Sequence, residues 1–279
     1  MTKKKYPGHV SGQWLKRTAV VLMGLLVLAV SGCKNQPRPG AQQTIKILTF
    51  GDSITRGVRE GVKNTQTFTY YLGVLLNQDG FPVGMINRGV SGETTSGALD
   101  RIEHDVIREK PHYVTIMYGT NDAFIDDYAD ETGHWPRIPI ERYKKNLQEI
   151  IQKLKANNIS PILMTPIPMG SFWGSEVGIY KQNGINFKLK EYVEAVRDIA
   201  REENVPFIDH FNEWLNWKKR GKDIDTWMTD GIHPNPKGHR LMAVTIFKVL
   251  KRELVHEGTR GLAPSSILGQ APRPQAPGH

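Results

Sequence analysis

The chain reads as an α/β protein: a three-layer α/β/α sandwich around a parallel sheet of about five strands. Two observations predict it. Short runs rich in β-branched and aromatic residues alternate with longer runs whose apolar residues recur at helical spacing, which is the order of βαβ units. Glycine or proline closes most runs, as at Gly51, Gly80, Pro111 and Gly119, so the element ends are marked locally. With 39% hydrophobic and 23% charged residues, the composition is that of a globular chain.

Taken in order, residues 45–50 (IKILTF) form the first strand, closed by Gly51. Residues 66–78 carry apolar side chains at helical spacing and stop at Gly80. Residues 83–87 are the second strand, and residues 96–109 a helix halted ahead of Pro111. Residues 113–118 (YVTIMY) are the third strand, again ended by a glycine, Gly119. A strongly periodic helix over 140–156 leads to a fourth strand at 161–165. A helix over 185–203, a short strand at 206–209 and a last helix over 237–254 complete the order.

The flanks are different in kind. Residues 3–17 are basic, and residues 18–30 (TAVVLMGLLVLAV) are almost wholly apolar. Thirteen residues are short for a bilayer span, which takes about 20, and suit the apolar region of a secretory signal. The next residues, Val30-Ser31-Gly32-Cys33, resemble a bacterial lipoprotein signal, which implies cleavage before Cys33 and lipid on its thiol. Residues 1–32 are therefore expected to be a signal, 33–44 a tether, 45–257 the folded domain and 258–279 a flexible Pro/Gly-rich tail. The location expected is extracytoplasmic, anchored to a membrane through Cys33.

Charge then falls into place. The formal net charge of +9 suggests nucleic acid until it is located. Residues 1–44 and 258–279 hold nine basic residues and no acid, so residues 45–257 carry 28 of each sign. The balance gives no nucleic-acid footprint on the folded part. A single cysteine excludes an internal disulfide framework or a thiolate-rich metal site.

In open parallel sheets ligands bind outside the carboxyl ends of the strands. The residues just after each predicted strand are informative. Gly51-Asp52-Ser53-Ile54-Thr55 follows the first, and Asn87-Arg88-Gly89-Val90-Ser91-Gly92-Glu93-Thr94 the second. Gly119-Thr120-Asn121-Asp122 follows the third, and Asp230-Gly231-Ile232-His233-Pro234 precedes the last helix. Together they supply a hydroxyl, a glycine-rich turn, an amide, a carboxylate and an imidazole. That is the inventory for acyl transfer by a serine nucleophile.

These four segments resemble the four blocks of the SGNH hydrolases, the GDSL esterase/lipase family, over about residues 45–250. The resemblance implies the SGNH hydrolase fold, with a flavodoxin-like sheet, and a serine esterase that takes no cofactor and no metal. It implies Ser53 as nucleophile, His233 as base and Asp230 as the carboxylate that orients it. The oxyanion hole it implies is made by the Ser53 and Gly92 N–H groups and the Asn121 side chain. Asp52 and Asp122 are expected to brace the loops, and Thr94 to line the site.

Other candidates are weaker. No HExxH, P-loop or GxSxG pattern occurs. Asp209-His210 could mimic a dyad, but a strand end there fits packing better. Two long loops, 123–139 and 166–184, carry the aromatic residues Tyr128, Trp135, Phe172, Trp173 and Tyr180. Of these, Trp135, Phe172 and Trp173 are the candidates for contacting substrate. No apolar lid is evident, which favours short acyl groups, such as acetyl esters on carbohydrate. The partners expected are thus a small-molecule or glycan ester and, through Cys33, a membrane. A lysophospholipase or thioesterase activity is the alternative within the class. A non-catalytic glycan-binding lipoprotein is the alternative outside it, and such a protein is expected to lack one of the four blocks.

Overall fold

A computed structural model describes residues 44–126, 135–171 and 178–259. Five strands, β1 (Ile45–Gly51), β2 (Val83–Gly89), β3 (Tyr113–Met117), β4 (Ser160–Met164) and β5 (Phe207–Ile208), make one sheet in the order β2-β1-β3-β4-β5, every pair parallel. The helices are α1 (Ser53–Arg56), α2 (Phe68–Gln78), α3 (Thr95–Asp105), α4 (Ile140–Ala156), α5 (Gly178–Asn183), α6 (Phe187–Glu202), α7 (His210–Lys219) and α8 (Pro236–Thr259).

Strand periodicity of two sorts the core into two layers. In β1, Ile47 faces one side with Leu72 and Leu76 of α2 and Ile246 and Leu250 of α8. Leu48 and Phe50 face the other, with Ala98 and Ile102 of α3, Leu147 and Ile150 of α4, and Val193 and Val196 of α6. Strand β3 splits the same way: Tyr113 and Met117 go to the first layer, Val114 and Ile116 to the second. Every residue of β3 is buried, as a central parallel strand covered on both faces requires.

The sheet starts at β1, winds outward to β2, then returns to the other side of β1 for β3. That reversal opens a crevice at the carboxyl ends of β1 and β3, where neighbouring connections leave in opposite directions. The fold therefore decides where a site can be.

Sequence and structure differ at several ends. The helix expected from residue 66 starts at Phe68, because the Thr67 hydroxyl accepts a hydrogen bond from the Tyr70 N–H at 3.3 Å and caps it. The helix expected over 96–109 ends at Asp105 and tightens into a 3-10 turn over 107–109. Lys110 then turns left-handed (φ 49°), since the proline after it disfavours right-handed helix. Helix α7 was not expected. Asp209 ends the short strand by capping α7, its Oδ1 accepting from the Asn212 N–H at 3.0 Å, while Phe211 and Trp214 are buried. Helix α5 lies inside the second expected loop, and α8 runs two residues past the expected boundary of the tail. Among the described residues no helix is long and apolar enough to cross a membrane.

Leu72 is fully buried between the sheet and α8. Leu72→Ala should lower unfolding stability by about 2–5 kcal/mol. The denaturant midpoint should fall without a change in slope.

Candidate active site

Ser53 is placed by its neighbours. Strand β1 ends at Gly51, where a Cβ would collide with the Thr55 hydroxyl and the Met117 carbonyl oxygen, so only glycine lets the chain pass into α1 there. Asp52 caps α1, its Oδ1 accepting from the Ile54 N–H at 2.9 Å. Ser53, the first helical residue, is half-buried at the carboxyl end of β1.

His233 arrives from the far end of the chain. The Asp230 Oδ1 accepts from the N–H groups of Ile232 and His233 at 3.1 and 2.9 Å, with Gly231 left-handed between them (φ 83°). This Asx-type turn puts carboxylate and imidazole on one side. Asp230 Oδ2 and Oδ1 lie 2.8 and 3.0 Å from His233 Nδ1, and His233 Nε2 lies 2.8 Å from Ser53 Oγ. The loop is pinned below by Thr229 N–H donating to the His233 carbonyl at 2.8 Å and above by Asn235, whose Oδ1 accepts from Lys237 and Gly238 N–H to start α8.

Burial pushes the His233 imidazole below its ordinary value, the Asp230 carboxylate opposes this, and the Arg59 guanidinium adds to it. Burial pushes Asp230 up, but hydrogen bonds from the His233 and Ile232 backbone and the His233 ring outweigh it and hold the carboxyl below its usual range. The resting pair is thus a carboxylate beside a neutral imidazole, with Nδ1–H donating to Asp230 and the Nε2 lone pair facing the serine. That arrangement can take a proton from a hydroxyl.

The other two segments converge on Ser53. Asn121 Nδ2 donates to the Glu93 carbonyl oxygen at 3.1 Å and to Asp52 Oδ2 at 3.3 Å. One amide thereby ties the β3 turn to the neighbours of both Ser53 and Gly92. Gly92 is left-handed (φ 76°), a conformation costly to any residue with a side chain. The positive φ is the physical reason for glycine at this position. The N–H groups of Ser53 and Gly92 thus have no acceptor among the described residues, while the Asn121 amide is engaged by Glu93 and Asp52.

Beneath lies a polar network that sequence reasoning missed. The Glu93 carboxylate accepts from the Tyr118 hydroxyl at 2.6 Å and from the Arg101 guanidinium. Arg101 also reaches the Arg88 carbonyl at 2.9 Å and stacks over Phe50 at 4.4 Å. It therefore joins the ends of β1, β2 and β3. The signal was the spacing of Glu93 and Arg101, which puts an acid before α3 against a base two turns into it. Asp122 is fully buried, its Oδ1 accepting from the Thr95 N–H and hydroxyl at 2.8 and 2.6 Å. Burial raises Asp122 to about 6 and, with Asp122 and Glu93 close by, Asp52 to about 7.

The remaining candidates divide. Trp135 is 74% exposed beside Pro136, which pairs with Ile125 just after β3. Tyr180, expected on a loop, is buried, its hydroxyl accepting from the Ile125 N–H at 2.8 Å. Phe172, Trp173, Tyr128 and Cys33 lie outside the described residues. Thr94 is half-buried at the start of α3. His210 is fully buried and burial drives it down to about 3, while Asp209 is engaged by Arg197 and Asn212, so these two form no dyad.

The family model of GDSL-like lipases/acylhydrolases matches residues 49–241. An uncharacterised lipoprotein, YqeF of Bacillus subtilis, is 28% identical over 80% of this chain and 93% of its own. An isoamyl acetate-hydrolysing esterase 1 homolog of Rattus norvegicus is 28% identical over 75% of this chain and 82% of its own. The crystal structure of an acetyl xylan esterase superposes with a TM-score of 0.58 at 26% identity, covering 73% of this chain and 98% of its own.

Asp52 makes a pH prediction. An unfolded aspartate titrates near 3.9, and in the fold Asp52 titrates at about 7. The folded state therefore holds an extra proton between these values, and stability falls as pH rises through that window. Asp52→Asn removes this loss. Its destabilisation relative to wild type, measured by urea unfolding, should be greatest near pH 4 and shrink toward pH 8.

Proposed function

The chain belongs to the SGNH (GDSL-like lipase/acylhydrolase) family and is a carboxylic ester hydrolase, and from that premise we propose that Ser53, His233 and Asp230 cut acyl esters through an acyl-enzyme. The observation that carries this reading is the continuous line of contacts, 2.8 Å from Ser53 Oγ to His233 Nε2 and 2.8 Å from His233 Nδ1 to Asp230.

In this reading His233 Nε2 takes the Ser53 proton as Oγ attacks the ester carbonyl carbon. The carbonyl oxygen becomes an oxyanion held by Ser53 N–H, Gly92 N–H and the Asn121 amide. Asp230 stabilises the imidazolium without itself being protonated. His233 returns the proton to the leaving alkoxide, the C–O bond breaks, and the alcohol departs. Water then repeats the sequence on the acyl-serine, its proton passing to His233 and on to Ser53, and the carboxylic acid leaves. No cofactor enters the sequence.

We further propose short-chain, acetyl esters carried by carbohydrate as the substrate class. Two relatives, one named for isoamyl acetate and one for acetyl xylan, share the acetyl group and differ in the alcohol. The exposed Trp135 offers a ring face for a sugar. The place we propose is outside the cytoplasm, with residues 1–32 removed and lipid on Cys33. The sequence of residues 30–33 and the lipoprotein name of the Bacillus subtilis relative support it.

Cleavage of p-nitrophenyl esters from acetate to palmitate, beside acetylated xylan, tests the substrate. A rate highest on acetate with acetate released from xylan is expected; a rate rising with chain length would move the substrate to lipids. Asn121→Ala should slow turnover roughly 100- to 1000-fold, since one oxyanion donor supplies about 2.7–4 kcal/mol. Wild-type turnover in that variant would remove Asn121 from the mechanism.

A further inference from the structure

Resting on the assignment of His233 as base, we propose that Arg59 is a positioning residue of the site, shared with His233 across one carboxylate oxygen, that widens the active range toward acid. Arg59 and His233 meet at the same atom. Asp230 Oδ2 lies 2.6 Å from the Arg59 guanidinium and 2.8 Å from His233 Nδ1, while Oδ1 is taken by two backbone N–H groups and the ring. Oδ1 is held by hydrogen bonds and Oδ2 is held between the ring and the guanidinium, so Arg59 and the backbone together restrain the carboxylate plane and, through it, the ring of His233.

The position of Arg59 is built rather than incidental. It sits on the turn after α1, where its N–H donates to the Val62 carbonyl at 3.3 Å and its carbonyl accepts from the Val62 N–H at 2.9 Å. Val62 is buried, and anchors that turn in the core. The side chain is about one-third exposed, at the mouth of the site. No sequence pattern separates it from Arg56 three residues earlier.

The electrostatic effect has one sign. A carboxylate beside an imidazole favours its protonated form, which idles a general base in mild acid. A fixed cation on the same carboxylate disfavours a second positive charge on the ring. The groups facing His233 are Asp230 from its own loop, Ser53 from α1, Arg59 from the turn after α1 and His239 from α8. His239 is buried and driven down to about 4, so it is neutral wherever the enzyme works as a base. Arg59 is therefore the permanent cation among them, and burial and Arg59 act in the same direction on His233.

The test has two readouts. The first is kcat/KM on p-nitrophenyl acetate from about pH 4 to about pH 9 for wild type, Arg59→Gln and Arg59→Lys. The second is the titration of the His233 Cε1–H resonance in the resting proteins, assigned with His233→Gln. In Arg59→Gln the acid limb and the resonance midpoint should both move to higher pH. The loss of kcat/KM at the acid end should exceed that at the alkaline end by about threefold or more. Arg59→Lys should lie nearer wild type. An unmoved midpoint and limb in Arg59→Gln, whatever its kcat, overturns the proposal. Hydrolysis that survives Ser53→Ala would instead overturn the assignment of the triad, and the resonance midpoint would still report on Arg59.

Discussion

The hydrogen bond between Ser53 Oγ and His233 Nε2 joins residues 180 apart in sequence, and nearly every feature of the fold is needed to make it. Ser53 is fixed by the first strand-to-helix turn and His233 by the loop before the last helix. The two meet only because α2 and α8 pack against one face of the sheet and bring the ends of the domain together. The contact is local in space and global in its dependence. Any loosening of the α2–α8 layer displaces the imidazole from the hydroxyl, and in the proposed mechanism displacements of about an ångström can cost a hundredfold in rate.

The second constraint is electrostatic. Four carboxylates, Asp52, Glu93, Asp122 and Asp230, stand on the segments that follow β1, β2 and β3 or precede α8, and each is treated differently. Asp230 is ionised by its donors and faces the imidazole. Glu93 is matched by Arg101 and Tyr118. Asp52 and Asp122 are buried with few compensating charges, and hold protons more tightly for that reason. Acids that hold their protons more tightly can serve as turn-formers here while placing less negative charge in the buried loops than four fully ionised carboxylates would.

Much of this is legible in the sequence. The strands are visible because parallel strands buried on both faces are apolar runs, and the site is visible because those runs break into polar residues at their carboxyl ends. Ser53, Asn121 and His233 each lie within a few residues of a strong element, in a short polar or glycine-containing segment. What was not legible has a physical character in common. Helix α7 follows a two-residue strand, so its start looked like the strand's continuation until Asp209 was seen to cap it. Tyr180 looked like a loop aromatic, but its ring and hydroxyl are buried against Ile125. The Arg59–Asp230 and Arg101–Glu93 pairs depend on side-chain reach in three dimensions, and long charged side chains leave no periodic trace.

The central claim is that Ser53 is the reacting group, and a fluorophosphonate probe tests it most directly. The probe reacts with a serine only where a base has activated it, so the purified protein should be labelled once, on the peptide containing Ser53. Labelling should vanish in Ser53→Ala and fall steeply in His233→Ala. A label that persists in Ser53→Ala, or that maps to another residue, would contradict the account.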